Sequence, residues 1–163
     1  VGNAWVFGDR VVPHARDFSR DVQSCYLDLG YRLAATTPPD AVVAALDIGA
    51  IGFASDRRIV DLMGLVSPEI LELGRSMGFQ EMVDSGAWVA VLAAQEAPEG
   101  HRYFVDRTED GPRWDGRVVG GLRFELIDTC LLRGVGLREP QPWTVALYRL
   151  VSTETGVRSS AGG

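Results

Sequence analysis

The hydrophobic patterning predicts an α/β fold: a single three-layer domain with a mixed, mostly parallel sheet and an antiparallel C-terminal hairpin. Three observations carry this. An apolar stripe at steps of three and four runs from Phe18 to Leu33, a continuous apolar run bounded by turn residues lies at 41–46 with a second strand-like segment at 58–63, and two long β-like runs separated by Gly and Pro close the chain. The 163 residues fit one domain and are enough to bury about two thirds of the unfolded surface. No repeat period and no second core is evident. The chain divides into an irregular opening segment 1–15, the α/β domain 16–151 and a disordered tail 152–163.

The opening segment mixes a short apolar stretch with Gly8 and Pro13 and reads as irregular chain or an edge strand. From Arg16 the residues Phe18, Val22, Cys25, Tyr26, Leu29 and Leu33 form one face of a helix, capped by Asp17 or Ser19 and supported by an Asp28–Arg32 pair. Pro38-Pro39 stops it by Thr37. The run Ala41 to Leu46 is a strand buried on both faces, followed by a Gly-rich turn or short helix at 49–54 and a second strand from Arg58 to Met63. Ser67-Pro68-Glu69 opens a helix that Gly78 ends, and one more helical turn follows at 79–85. Ala87 to Ala93 reads as a third buried strand. The stretch 96–121 reads as surface loop interrupted by a short strand at Tyr103-Phe104-Val105, and 122–132 with 143–151 as the hairpin.

All 16 cationic side chains are arginine. The missing lysine rules out Schiff-base chemistry, a phosphate-loop ATPase and a kinase on this chain alone. A net charge of −6 and dispersed arginines argue against a nucleic-acid partner. With two histidines and no paired cysteine spacing, neither a metal nor another cofactor is expected. Cys25 and Cys130 read as two buried free thiols, because free cysteine is among the most buried residue types; the alternative is a single disulfide between them, open only in an oxidising compartment. The longest apolar run, eight residues, is too short to cross a bilayer, which takes about 20.

The most informative passage runs from Asp47 to Glu69. Ligands of open parallel sheets gather beyond the carboxyl ends of the strands, where Asp47 and Asp61 fall. Two carboxylates there can act as acid and base, which makes this pair the catalytic candidates. The plainer reading has Asp47 accepting amides of the Gly49 turn and Asp61 pairing with Arg57 or Arg58. Gly49 and Gly52 are candidates for cradling a phosphate, although close backbone packing explains them better. Arg57-Arg58 is the one arginine pair placed to meet an anion. Among the tryptophans, Trp88 and Trp143 read as core and Trp114, in the polar loop, as a stacking platform for a sugar.

The passage Pro38 to Ile70, "PPDAVVAALDIGAIGFASDRRIVDLMGLVSPEI", resembles the soluble C-terminal domain of bacterial membrane glycosyltransferases related to the protein mannosyltransferases and lipid A aminoarabinose transferases. Asp47, Gly49, Gly52, Asp61, Gly64 and Pro68 match that family's motif, while Phe53 stands where tyrosine is usual and Leu46 where a polar residue often precedes the aspartate. The resemblance implies a non-catalytic accessory domain on the extracytoplasmic side of a bacterial membrane. Its partners would be the transmembrane body of the same polypeptide and a polyprenyl-phosphate sugar or glycan acceptor. The chain's first residue, Val1, is read accordingly as following such a body. Two alternatives stand beside this reading: a free-standing small hydrolase or transferase working through Asp47 and Asp61, and a carbohydrate-binding module.

Overall fold

The computed structural model describes residues 5–133 and 142–153. A long helix, α1 (5–36), leads into a six-stranded mixed sheet. Its strands and remaining helices follow as β1 (Val42–Ala45), α2 (Ile48–Ser55), β2 (Arg58–Asp61), α3 (Pro68–Met77), α4 (Phe79–Ser85), α5 (Val89–Ala94), β3 (Arg102–Thr108), β4 (Val118–Val119), β5 (Leu122–Leu132) and β6 (Trp143–Ser152). The spatial order is β2-β1-β3-β6-β5-β4. β1 pairs parallel with β2 and β3, and β3-β6-β5-β4 is antiparallel. The α/β domain with its C-terminal antiparallel pair is therefore present, with the parallel part confined to β1, β2 and β3.

β1 explains the three layers. Val42, Val43, Ala44 and Ala45 are all fully buried, so each face of the strand needs its own cover. Val42 and Ala44 join Phe104, Phe124, Tyr148 and Trp88 in the core under α3, α4 and α5. Val43 and Ala45 join Tyr103, Val105, Val145 and Leu147 in the core under α1 and α2. On the second face the helices touch backbone to backbone: a Cβ on Gly30 would lie 2.5 Å from Ala54 Cβ. On the first face the aromatics interlock, with ring centroids 4.5 Å apart for Trp88–Phe104 and 5.0 Å for Trp114–Phe124.

Several expectations are corrected. The opening segment is helical from residue 5, so neither Asp17 nor Ser19 caps a helix start. Phe7–Val11 and Val22–Leu27 are π-helical and Val12–Asp21 is α-helical, and Pro13 falls inside the continuous helix just where the first π segment passes into the α segment and the hydrogen-bond register changes. Arg32 pairs across to Asp128 on β5. The run at 87–93 is no strand: Gly86, at φ +78°, turns the chain and Val89–Ala94 is a short helix packed on the sheet. β3, with seven residues in place of the three read for it, lies in the middle of the sheet. Two residues of the expected tail are ordered, since β6 continues through Ser152 and the Thr153 amide bonds to the Gly121 carbonyl. Residues 154–163 of the expected tail, and the Gly and Pro residues at 134–141, lie outside the described residues.

The two cysteines are joined. A Cys25–Cys130 disulfide ties α1 to β5 across 105 residues of sequence, in place of the free thiols read from composition. In the chain-entropy view, closing a loop of that length stabilises by about 2–5 kcal/mol. Substituting both cysteines by serine is expected to lower the unfolding free energy by that amount in denaturant titrations, and reductant is expected to do the same to the parent protein but not to the variant.

Candidate functional site

Because β1, β2 and β3 run parallel, their carboxyl ends meet at one edge of the sheet, and α1 crosses that edge on its way down the second face. The edge collects Asp47 just after β1, Asp61 at the end of β2, Arg107 near the end of β3 and Tyr26 from α1. Trp143, at the start of β6, flanks them.

Asp47 is half-exposed. Its Oδ2 accepts a hydrogen bond from the Tyr26 hydroxyl at 2.7 Å and pairs with the Arg107 guanidinium at 2.8 Å. Arg107 lies over the Trp143 ring, 4.7 Å from its centroid, and its Nε is buried without a partner. The plainer expectation for Asp47, bonding to the Gly49 turn, is replaced by these side-chain partners. Burial raises the Tyr26 pKa above the usual phenol range, and the charge and hydrogen bond of Asp47 raise it further against the opposing effect of Arg107. Two cavities open on either side of the Asp47–Arg107 pair. One, of about 510 Å³, is lined by Trp143, Phe79, Gln80 and Arg113 among others. The other, of about 450 Å³ and mostly apolar, is lined by Phe18, Val22, Tyr26, Ile48, Met63 and Leu65 among others. Among the described residues neither lining contains Ser, Cys or His. A carboxylate beside guanidinium donors and an indole ring suits recognition of a hydroxyl-bearing ligand.

Asp61 is fully buried and serves a different purpose. Its Oδ1 accepts the Met63 amide at 2.9 Å, and its Oδ2 accepts those of Leu65 and Val66 at 2.6 and 3.0 Å. The Asp61 amide donates to Ser67 Oγ at 2.9 Å. Pairing with Arg57 or Arg58 is thus corrected: the carboxylate ties the loop after its own strand. Fully buried and holding three loop amides, Asp61 fits a loop-tying role better than acid–base work, although it lines the apolar cavity together with Asp47.

The other candidates separate. Gly52 packs on β2, where an added Cβ would sit 3.3 Å from Ile59, whereas Gly49 has open space and lines the apolar cavity. Arg57 lies at the opposite, amino-terminal edge of the sheet. It donates to the carbonyls of Ala34, Thr37 and Ser55 and to Thr37 Oγ1, closing the ends of α1 and α2. Arg58 donates to the Glu96 carbonyl. Neither meets an anion at the working edge. Trp114 is fully buried, with Arg117 stacked on it at 4.1 Å, so it offers no platform to a sugar. Trp88 is buried as expected, while Trp143 reaches the cavity.

Sequence reasoning missed Tyr26, Arg107 and the pairing of buried Asp106 with the exposed Arg113. Asp106 is fully buried; its Oδ2 accepts from Arg113 Nε at 3.1 Å, and Arg113 reaches on to Asp84 at 2.9 Å. The available signal was position: Asp106 and Arg107 follow Tyr103-Phe104-Val105, and the strand-end logic that selected Asp47 selects them once that strand is extended.

The two aspartates are expected to respond differently to substitution. Asp61→Ala strands three loop amides and is expected to cost about 3 kcal/mol or more in unfolding free energy, whereas Asp47→Ala breaks a half-exposed pair and is expected to cost about 1 kcal/mol. Alkaline pH gives a second check. The Tyr148 phenol is pushed up to about 12, chiefly by burial, and Tyr26 is also raised. Both are neutral in the fold with folded values above the ordinary 10.0. Their contribution is therefore complete below pH 10 and is lost as pH climbs through the folded values, by up to about 1.4 kcal/mol per pH unit per phenol. Denaturation midpoints measured from about pH 9 to pH 12 are expected to fall, and phenolate absorbance to rise together with unfolding.

No curated protein and no solved structure is significantly similar to the chain. A family model described as "Domain of unknown function (DUF8728)" matches residues 16–157, from the first body-packing turns of α1 to beyond β6, and the chain belongs to that family.

Proposed function

We propose that this chain is the extracytoplasmic accessory domain of a bacterial membrane glycosyltransferase that uses a polyprenyl-phosphate-linked sugar, and that the domain itself performs no bond-breaking step. The observation that carries the reading is the Cys25–Cys130 disulfide, because such bonds persist in oxidising compartments outside the cytoplasm. It adds to the resemblance of Pro38–Ile70. The motif residues support a non-catalytic role: Asp61 ties a loop, Gly52 packs on Ile59, Gly64 takes a left-handed turn against Leu71, and Pro68 opens α3. Asp47, Gly49 and Asp61 line the cavities, and of these Asp47 is the one held by side chains of other elements, Tyr26 and Arg107. In this reading the Asp47–Arg107 pair beside Trp143 steadies hydroxyls of a glycan acceptor, or of the lipid-linked sugar, for the transmembrane body of the same polypeptide.

Among the described residues no helix is long and apolar enough to cross a membrane, so the reading requires spanning segments elsewhere in the polypeptide. The test is the polypeptide that carries the domain in its native cell. It is expected to hold several hydrophobic segments of ~20 residues, to expose this domain to protease added from outside, and to yield Cys25 and Cys130 to alkylation only after reduction. A free cytoplasmic chain with alkylatable thiols would sink the proposal.

A further inference from the structure

The Cys25–Cys130 bond stands in the wall of the apolar cavity. Cys25 lies between Val22 and Tyr26 on α1, and Cys130 lies just before Leu132 on β5; Val22, Tyr26 and Leu132 all line that cavity. The bond therefore joins the helix side of the cavity to the strand side. Tyr26 follows Cys25 directly, so whatever fixes Cys25 also fixes the hydroxyl that meets Asp47 at 2.7 Å.

The two halves of α1 are held unequally. Downstream of the bond, Asp28–Thr36 buries Leu29, Gly30 and Leu33, sets Gly30 directly on Ala54, and has its Ala34 carbonyl tied by Arg57. Upstream, Phe7–Val11 buries no residue and Val12–Asp21 buries Asp21 alone, whose carboxylate accepts the Arg133 amide at 2.8 Å. Between the halves lies the π-helical stretch Val22–Leu27, a departure from α geometry of the kind that concentrates at functional sites. Access to the bond is one-sided: Cys25 is 1 % exposed, whereas Cys130 is half-buried.

We infer that this bond is a redox-operated clamp on the apolar cavity. While formed, it holds Phe18, Val22 and Tyr26 at the sheet edge; its reduction by a dithiol lets the upper half of α1 swing out about the π-helical stretch while the sheet stays folded. The exchange balances as follows. One thiolate of the dithiol attacks the accessible Cys130 sulfur, the S–S bond breaks, and Cys25 leaves as a thiolate that takes up a proton. The second thiolate of the dithiol then displaces Cys130, which is protonated in turn, and the dithiol departs as a disulfide. Two electrons and two protons pass to the protein, and the reverse exchange closes the cavity again. Opening separates Tyr26 from Asp47, so the redox state sets whether the Asp47–Arg107 pair keeps its third partner. The inference goes beyond the transferase reading and needs only the bond and its neighbours.

The test is amide hydrogen exchange of the purified chain, with and without dithiothreitol, at several urea concentrations below the unfolding transition. Reduction is expected to speed exchange at 18–27 by about tenfold or more, at a rate that barely changes with urea, which marks a local opening. Amides of 28–36 and of β1, β3 and β6 are expected to keep the steep urea dependence of global unfolding. Cys25→Ser with Cys130→Ser is expected to behave as the reduced parent whether or not reductant is present. Tyr26→Phe, which keeps the disulfide, is expected to protect 18–27 as the oxidised parent does. A bond that resists the dithiol until the chain unfolds overturns the inference, as does a reduced chain in which 18–27 follows the global urea dependence or the sheet loses protection. Opening of 18–27 in oxidised Tyr26→Phe overturns it in favour of the Tyr26–Asp47 hydrogen bond as the clamp. All of these are read on the purified chain, so they stand apart from where the domain resides in the cell, on which the transferase reading depends.

Discussion

Four residues of β1, Val42 to Ala45, have no access to solvent on either face, and most of the architecture follows from covering them. One face takes α1 and α2, the other α3, α4 and α5. A strand so enclosed needs parallel neighbours joined by crossovers, and β2 and β3 supply them, which brings three strand ends to one edge. The small side chains of Ala44 and Ala45 and the absence of a side chain at Gly30 let the covering helices approach closely, with α1 and α2 in direct contact at Ala54. The edge where Asp47, Asp61 and Arg107 gather is thus a by-product of burying a hydrophobic strand.

Two aspartates at that edge illustrate how surroundings assign a role. Asp61 is buried, and its carboxylate accepts three backbone amides, so it becomes part of the frame. Asp47 is open on one side, and its partners are side chains that belong to other elements, Tyr26 and Arg107. Contacts of that kind can be exchanged for a ligand's, while the amides around Asp61 have no alternative acceptor in reach. A buried carboxylate of a third sort, Asp106, depends on Arg113 crossing from the loop after β3, which fixes that loop against α4 through Asp84.

Much of this was legible because side-chain period and turn chemistry agree. The run at 41–46, bounded by proline and glycine, reads as a doubly buried strand, and Ser67-Pro68-Glu69 marks a helix start. The misreadings have physical causes. Eight apolar residues from Ala87 to Ala94 have no period to separate strand from buried helix, and here alanine content and the left-handed turn at Gly86 favour the helix. β3 looked short because Asp106 and Thr108 are polar yet buried and Arg102 is half-buried. Arg102 reaches the carbonyls of Leu92, Ala93 and Gln95, and Asp106 is neutralised by Arg113, so the hydrophobic pattern breaks where the burial does not. The disulfide and the Tyr26–Asp47–Arg107 cluster join residues far apart in the chain, and only the topology brings them together.

The four tryptophans divide into pairs with unlike surroundings. Trp88 and Trp114 are sealed within one aromatic cluster, so their emission reports the integrity of the whole domain. Trp5 stands on the projecting part of α1 and Trp143 beside Arg107 at the cavity, both in positions where a neighbour's arrival changes local polarity. The fold thereby carries its own optical probes, two for cooperativity and two for contact, and single-tryptophan variants read them one at a time.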